Sequence, residues 1–226
     1  MKMNLSWREM NELDDEFLFV ELLKIMGLIS PAFFAYLASS GEWKFADHLI
    51  DINSQLLKIN NSELYRLIIN IPPRHGKSEF ISKYFPAWYL TNNPNHRVLL
   101  TSYNDAFASL WCNKVKQVIE RFSSKHYDIK ISNIKNTKNE FGLEGYDGGL
   151  YCIGAGGSIT GRGADLIIID DPVKNDEEAN SQNNRDKTWE WFKGTLFTRL
   201  EPNGKIIICM TRWHSDDLTG RISEEL

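Results

Sequence analysis

Long apolar runs are missing from this sequence: none approaches the ~18 residues that a membrane-spanning helix needs. The first sixteen residues, Met1 to Glu16, are polar and acidic, and do not read as a secretory signal. Cysteine is scarce. Cys112, Cys152 and Cys209 lie far apart, without the close pairs of a zinc site, so reduced, buried thiols in a cytoplasmic compartment are expected. Internal repeats and low-complexity tracts are also missing, which sets aside repeat architectures. Nor is one sign of charge in large excess: the net charge of −4 does not announce a nucleic-acid binder.

What remains is an ordinary globular composition, 42% hydrophobic and 25% charged, over 226 residues, enough for one sizeable domain with a small appendage. Charge is unevenly placed within it. Seven Lys/Arg face three Asp/Glu between Trp111 and Glu140, whereas six acids face two bases between Asp170 and Asp186. Two solvated faces would explain this, as would a DNA-facing basic helix and an acidic metal-binding segment.

Residues 16–38 read as helical with a break near Ser30-Pro31, and a second helix is expected from about Ala46 to Lys58. The texture then changes. Leu67 to Ile71, Arg97 to Thr101, Leu150 to Ile153, Leu166 to Ile169 and Lys205 to Thr211 are short apolar runs that read as buried strands. Helices are expected from Gly76 towards Trp88, over Asp105–Phe122 and over Ala179–Leu200. Apolar strands alternating with helices predict an α/β fold with a mainly parallel sheet covered on both faces. Ligands of such sheets bind at the carboxyl ends of the strands.

One segment predicts the ligand. Ile71-Pro72-Pro73-Arg74-His75-Gly76-Lys77-Ser78 follows a strand and opens a helix, the setting of a phosphate-binding loop. Lys77 would hold the β- and γ-phosphates of ATP and the Ser78 hydroxyl would bind Mg²⁺. Gly76 lets the backbone approach the phosphates. Ile71 stands where the usual motif begins with glycine. The apolar run Leu166–Ile169 ends in Asp170-Asp171, and a parallel sheet can deliver both carboxylates to the same rim as the loop. Asp170 is then the candidate Mg²⁺ partner and Asp171 the candidate base for an attacking water. The bland alternative is a strand that simply ends in a turn at Pro172.

The run Arg66–Ser78, the block Ser158–Leu166 leading to Ile169-Asp170-Asp171-Pro172, and the block Gly204–Leu218 together resemble terminase large subunits, the DNA-packaging enzymes of tailed phages and prophages. The resemblance begins at about Phe45. It implies a P-loop NTPase of the ASCE type, with a helical N-terminal segment over 1–44, an ATPase core over 45–226 and a lid-like segment over about 173–200. It also implies that Pro73, Arg74, His75, Gly76, Lys77, Ser78 and Glu79 surround the phosphates. Phe45 and His48, in an upstream adenine-recognition segment, would meet the base. Thr211 matches the motif that couples hydrolysis to DNA movement. Arg74 would stabilise transferred charge within the subunit, and Arg162 matches the region of an arginine finger offered to a neighbouring subunit. Arg162 could equally pair with Asp165 or another nearby acid, and the aromatics of 173–200 could be plain helix packing.

The partners implied are double-stranded viral DNA, a homo-oligomeric ring (a pentamer), the portal protein and a small terminase subunit. The setting is the bacterial host cytoplasm, with transient docking on the procapsid portal and no membrane. The family's nuclease domain has little room before Leu226, so DNA cleavage by this chain is not expected. A helicase-like translocase would share the loop, the acidic pair and a threonine-bearing strand; a nucleotide-gated assembly module would bind ATP with little turnover.

Overall fold

Alternation along the strands sets the architecture. In a strand successive side chains point to opposite faces, and here both faces are apolar: Leu166 and Ile168 enter one core while Ile167 and Ile169 enter another. A sheet apolar on both sides must be covered on both sides, and helices cover it. The computed structural model describes residues 15–159 and 161–225; what was expected of residues 1–14, Thr160 and Leu226 lies outside the described residues.

The seven described strands are β1 (Arg66–Asn70), β2 (Arg97–Ser102), β3 (Ile131–Asn136), β4 (Glu140–Leu143), β5 (Gly149–Gly154), β6 (Ala164–Asp170) and β7 (Leu200–Met210). They form one sheet in the order β1-β7-β6-β2-β5-β4-β3. The first five in that order run parallel, and β4 and β3 add an antiparallel edge. The mainly parallel sheet was legible in advance; the β3–β4 hairpin was not. Its outer strand carries no alternation to read, and Ile134 in its middle is 99% exposed.

On one face lie α1 (Asp15–Ile29), α2 (Pro31–Ala38), α3 (Asp47–Asn60), α4 (Phe85–Asn92) and α5 (Asp105–Val118). The expected break between the first two is made by Ser30, whose hydroxyl accepts from the Phe33 N–H at the start of α2, with Pro31 in the first turn. Phe34, Leu56, Ile59, Phe80, Trp88 and Val115 share this core with Leu100, Ile168 and Ile207 of the sheet. The segment expected as a helix from Gly76 begins in helical geometry at Lys77, winds as a wider π turn over Glu79–Tyr84 and then enters α4. Pro86 follows in the first turn of α4, a position where its missing N–H is tolerated. A second π turn, Ile119–Ser123, links α5 to the short α6 (Ser124–His126).

On the other face α7 (Asp176–Asn180) and α8 (Gln182–Trp191) lead through a π turn, Phe192–Leu196, and a 3₁₀ turn, Phe197–Arg199, into β7. Trp189, Trp191, Phe192 and Leu196 pack on Ile167, Ile169, Ile206 and Ile208, so the aromatics of the 173–200 segment form the second core. The chain then adds α9 (Leu218–Glu225), which was not anticipated. None of the described helices is long and apolar enough to cross a membrane.

Ile168 is fully buried in the central strands. Ile168→Ala is expected to lower the unfolding free energy by about 2–5 kcal/mol, the cost of a large-to-small change at a site that cannot collapse. Urea denaturation of the variant beside the parent chain checks this.

Candidate functional site

Register brings the sheet's carboxyl ends together. Asn70 of β1 is level with Met210 of β7, and Asp170 of β6 with Cys209. The residues that follow, Ile71, Thr211 and Asp171, therefore emerge side by side. The Ile71 N–H donates to the Met210 carbonyl at 3.4 Å and the Asp171 N–H to the Cys209 carbonyl at 2.9 Å, extending the ladder one step beyond the strands.

The loop over 71–76 turns back over this rim. Arg74 and Gly76 both have left-handed backbones, with φ of 65° and 78°. At Gly76 it is the backbone angle that calls for glycine; a Cβ there would have room, its nearest neighbour being a Leu49 methyl at 3.6 Å. Lys77 then opens the helix with its side chain buried. Its Nζ donates to Asp171 Oδ2 at 2.5 Å and to Thr211 Oγ1 at 2.8 Å. Three residues singled out in the sequence thus meet around one ammonium group. Asp171 Oδ1 accepts the Thr211 N–H at 2.8 Å, so both carboxylate oxygens are engaged. Asp171 itself has φ 42°, an uncommon conformation for a residue with a side chain, of the kind that concentrates at functional sites.

Asp170 lies behind this junction with no exposed surface. Its Oδ1 accepts the Ser78 hydroxyl at 3.0 Å and its Oδ2 accepts the Ser82 hydroxyl at 2.8 Å. Burial, reinforced by the neighbouring Asp171 charge, pushes its pKa up to about 6, while the two hydroxyls and Lys77 pull the other way. Ser82 was not singled out in the sequence. The signal available was its position four residues after Ser78, on the same side of a helix.

The remaining residues sort clearly. His48, on α3, has its Nε2 2.9 Å from the His75 carbonyl, and His75 Nδ1 lies 2.9 Å from the Pro73 carbonyl. A groove of 570 Å³ opens beside the loop, walled by Trp43, Lys44, His48, Arg74, His75 and Gly76 among others. Phe45 is not in that wall. Its ring packs on Tyr36 at 5.5 Å, whereas Trp43 and His48 line the groove. Glu79 turns from the loop to Lys83 and Lys114, at 2.9 and 2.5 Å.

Arg162 is far from the others. It precedes β6, whereas Asp170 ends it, and seven strand residues span roughly 23 Å. Its guanidinium pairs with Glu140 at 2.7 Å and lies 4.3 Å from the Tyr151 ring centre. The acid that holds it is therefore Glu140 of the unforeseen β4, and Asp165 instead accepts the Arg97 N–H at 2.7 Å. The basic stretch 111–140 is also less free than its count suggests. Lys114 pairs with Glu79, Lys116 is buried against the Thr137 carbonyl, Lys130 pairs with Asp128 and Lys135 with Glu140.

The raised Asp170 pKa has a sign that can be checked. Between about pH 4 and pH 6 the native state keeps a proton on Asp170 that the unfolded chain has released, so stability falls as pH rises through that window. In metal-free buffer, Asp170→Asn is expected to gain about 2–3 kcal/mol on the parent chain across it. Urea unfolding at several pH values tests this; a difference that stays constant with pH would contradict it.

This geometry can be set beside known proteins. The family described as "Terminase large subunit, T4likevirus-type, N-terminal" matches residues 68–224. Those residues hold the loop, both aspartates and Thr211. Among curated proteins none matches. Among solved structures, the crystal structure of the HK97 bacteriophage large terminase is similar in fold, with a TM-score of 0.56 over 80% of this chain at 14% identity. This chain spans 36% of that protein's length. The chain belongs to the terminase large-subunit family of the T4likevirus type, matching its N-terminal part.

Proposed function

We propose that this chain is the ATP-hydrolysing motor of a phage DNA-packaging terminase, coupling Mg²⁺-dependent ATP hydrolysis to movement of double-stranded DNA into a procapsid. The observation that carries the reading is the convergence of Lys77, Asp171 and Thr211 at adjacent strand ends, with Ser78 and Asp170 beside them. The order β1-β7-β6, which inserts the threonine-bearing strand between the loop and the acidic strand, supports a P-loop NTPase of the ASCE type. Intact Lys77, Asp170 and Asp171 favour turnover over a binding-only assembly module.

The donor set suits Mg²⁺. The Ser78 hydroxyl and Asp170 carboxylate are hard oxygen ligands, and among the described residues no group of three or more His, Cys, Asp or Glu forms a cage. Phosphate and water would complete the shell, as Mg²⁺ sites usually require. Bound there, the ion would neutralise charge on the β- and γ-phosphates.

The protein's own part begins with Lys77. Phosphate oxygens would compete with Asp171 for the ammonium. As Lys77 turns to them, Asp171 Oδ2 becomes free to accept a proton from the attacking water, while the Thr211 N–H keeps Oδ1 in place. Thr211 thereby senses whether Lys77 is on phosphate or on the protein, and β7 carries that difference into the fold. Arg74 is exposed in the loop, where it can meet transferred charge from within the subunit. Arg162, at the opposite rim, has no reach to its own loop; a place in a neighbour's site, in a homo-oligomeric ring such as a pentamer, is the role its position supports. A portal protein and a small terminase subunit would be the other partners, in a bacterial host's cytoplasm.

Lys77→Ala is expected to abolish Mg²⁺-dependent phosphate release. Asp171→Asn should lower kcat by ~10²–10⁴ while leaving nucleotide affinity in place. Phosphate release measured with each variant decides; turnover that survives in Lys77→Ala would remove the reading. A second expectation concerns the ring: turnover per subunit should rise with protein concentration, and Arg162→Ala should cancel that rise. Concentration-independent turnover would assign the activating arginine to Arg74.

A further inference from the structure

The loop and the acidic pair account for Lys77, Ser78 and both aspartates, but not for Ser82, the other hydroxyl that meets Asp170. Ser82 has no exposed surface and donates to Asp170 Oδ2 at 2.8 Å. A buried helical serine usually has a simpler option, bonding back to a carbonyl of the preceding turn. Ser82 instead reaches out of its helix to the far oxygen of a carboxylate on the sheet. The π turn Glu79–Tyr84 contains it, so the local departure from α geometry occurs at the residue that makes this contact.

The two oxygens of Asp170 are thereby divided. Ser78 holds Oδ1 on the phosphate-loop side, and Ser82 holds Oδ2 at the back. The neighbouring strand makes no such contact in the folded chain. Ser102, one step past the Thr101–Ile169 pair and hence beside Asp170, has a fully buried hydroxyl that bonds none of the described residues, Asp170 included. Bulk water cannot replace Ser82 either, because both groups are inaccessible.

Resting on the nucleotide reading above, we propose that Ser82 is a positioning residue for the metal. By occupying Oδ2 it fixes the carboxylate plane, so that Oδ1 stays turned towards the Ser78 hydroxyl, where the ion is to be shared. Ser82 does not touch nucleotide or metal; it acts through Asp170. Partners of this kind, behind a metal ligand, typically alter metal affinity 10–100-fold when lost.

The test is ADP binding by calorimetry, once with Mg²⁺ and once with EDTA, on the parent chain and on Ser82→Ala, Ser82→Thr and Ser82→Cys. The parent chain should bind ADP more tightly with Mg²⁺. Ser82→Ala should lose ~10-fold or more of that metal-dependent gain and keep its affinity in EDTA. Ser82→Thr, which retains a hydroxyl, should recover most of the gain. Ser82→Cys keeps the volume but is a weaker donor, so it should fall between, and it answers the question should the alanine variant fail to fold. An undiminished gain in Ser82→Ala overturns the proposal. So does an equal loss with and without metal, which would make Ser82 part of the loop's general support. If the parent chain itself shows no ADP binding, or no difference between Mg²⁺ and EDTA, the nucleotide reading fails and takes this inference with it.

Discussion

The site depends on the burial of one charge. The Lys77 ammonium is enclosed at the rim of the sheet, and an enclosed cation is tolerable only with partners close by. Those partners, Asp171 and Thr211, come from 94 and 134 residues further along the chain, from the ends of two different strands. They arrive together because β7 lies between β1 and β6 in matched register, so the three chains leave the sheet at one level. A slip of one residue in either ladder would turn a partner to the opposite face of the sheet and leave the charge alone.

The same strand that delivers the acids separates two kinds of chemistry. At the carboxyl end of β6, Asp170 and Asp171 differ by a single residue yet differ fully in environment. Asp170 is sealed behind the rim, pushed towards its protonated form by burial and restrained by two serine hydroxyls. Asp171 takes a left-handed turn that brings it forward to Lys77, still partly open to solvent. At the amino end, Arg162 is fastened to Glu140 and Tyr151, a strand's length from the loop over 71–76. Any action on a neighbour's nucleotide would first require leaving Glu140, which also pairs with Lys135. The two ends of β6 thus carry opposite charges in different settings: a buried acid and a partly open one at one end, an exposed arginine held by an acid at the other.

Elsewhere charge and aromatic content are mostly structural. The lysines of the 111–140 stretch are largely bound by acids and carbonyls of the same chain, while Arg121 in the second π turn and Lys125 in α6 are exposed. Trp189, Trp191 and Phe192 hold a helical layer against β6 and β7. Asp216 ties that layer to the segment after Thr211: it accepts from Arg185 at 2.9 Å and from Arg221 at 2.6 Å, and Arg221 also reaches Asp186.

The sequence by itself determined the parallel core of the sheet, the helix break at Ser30-Pro31, the loop between β1 and the helix opened by Lys77, and the acidic pair at a strand end. Each of these is a local pattern: an apolar run, a cap, a glycine before a lysine, two aspartates closing four apolar residues. It did not disclose β3 and β4, since an exposed edge strand with Ile134 in solvent carries no period to detect. Nor did it disclose Ser82, the turn of Phe45 towards Tyr36, or the hold of Glu140 on Arg162. Those rest on which way a side chain points and on what a strand paired elsewhere brings beside it. Only the folded sheet, by setting register between segments distant in sequence, decided them.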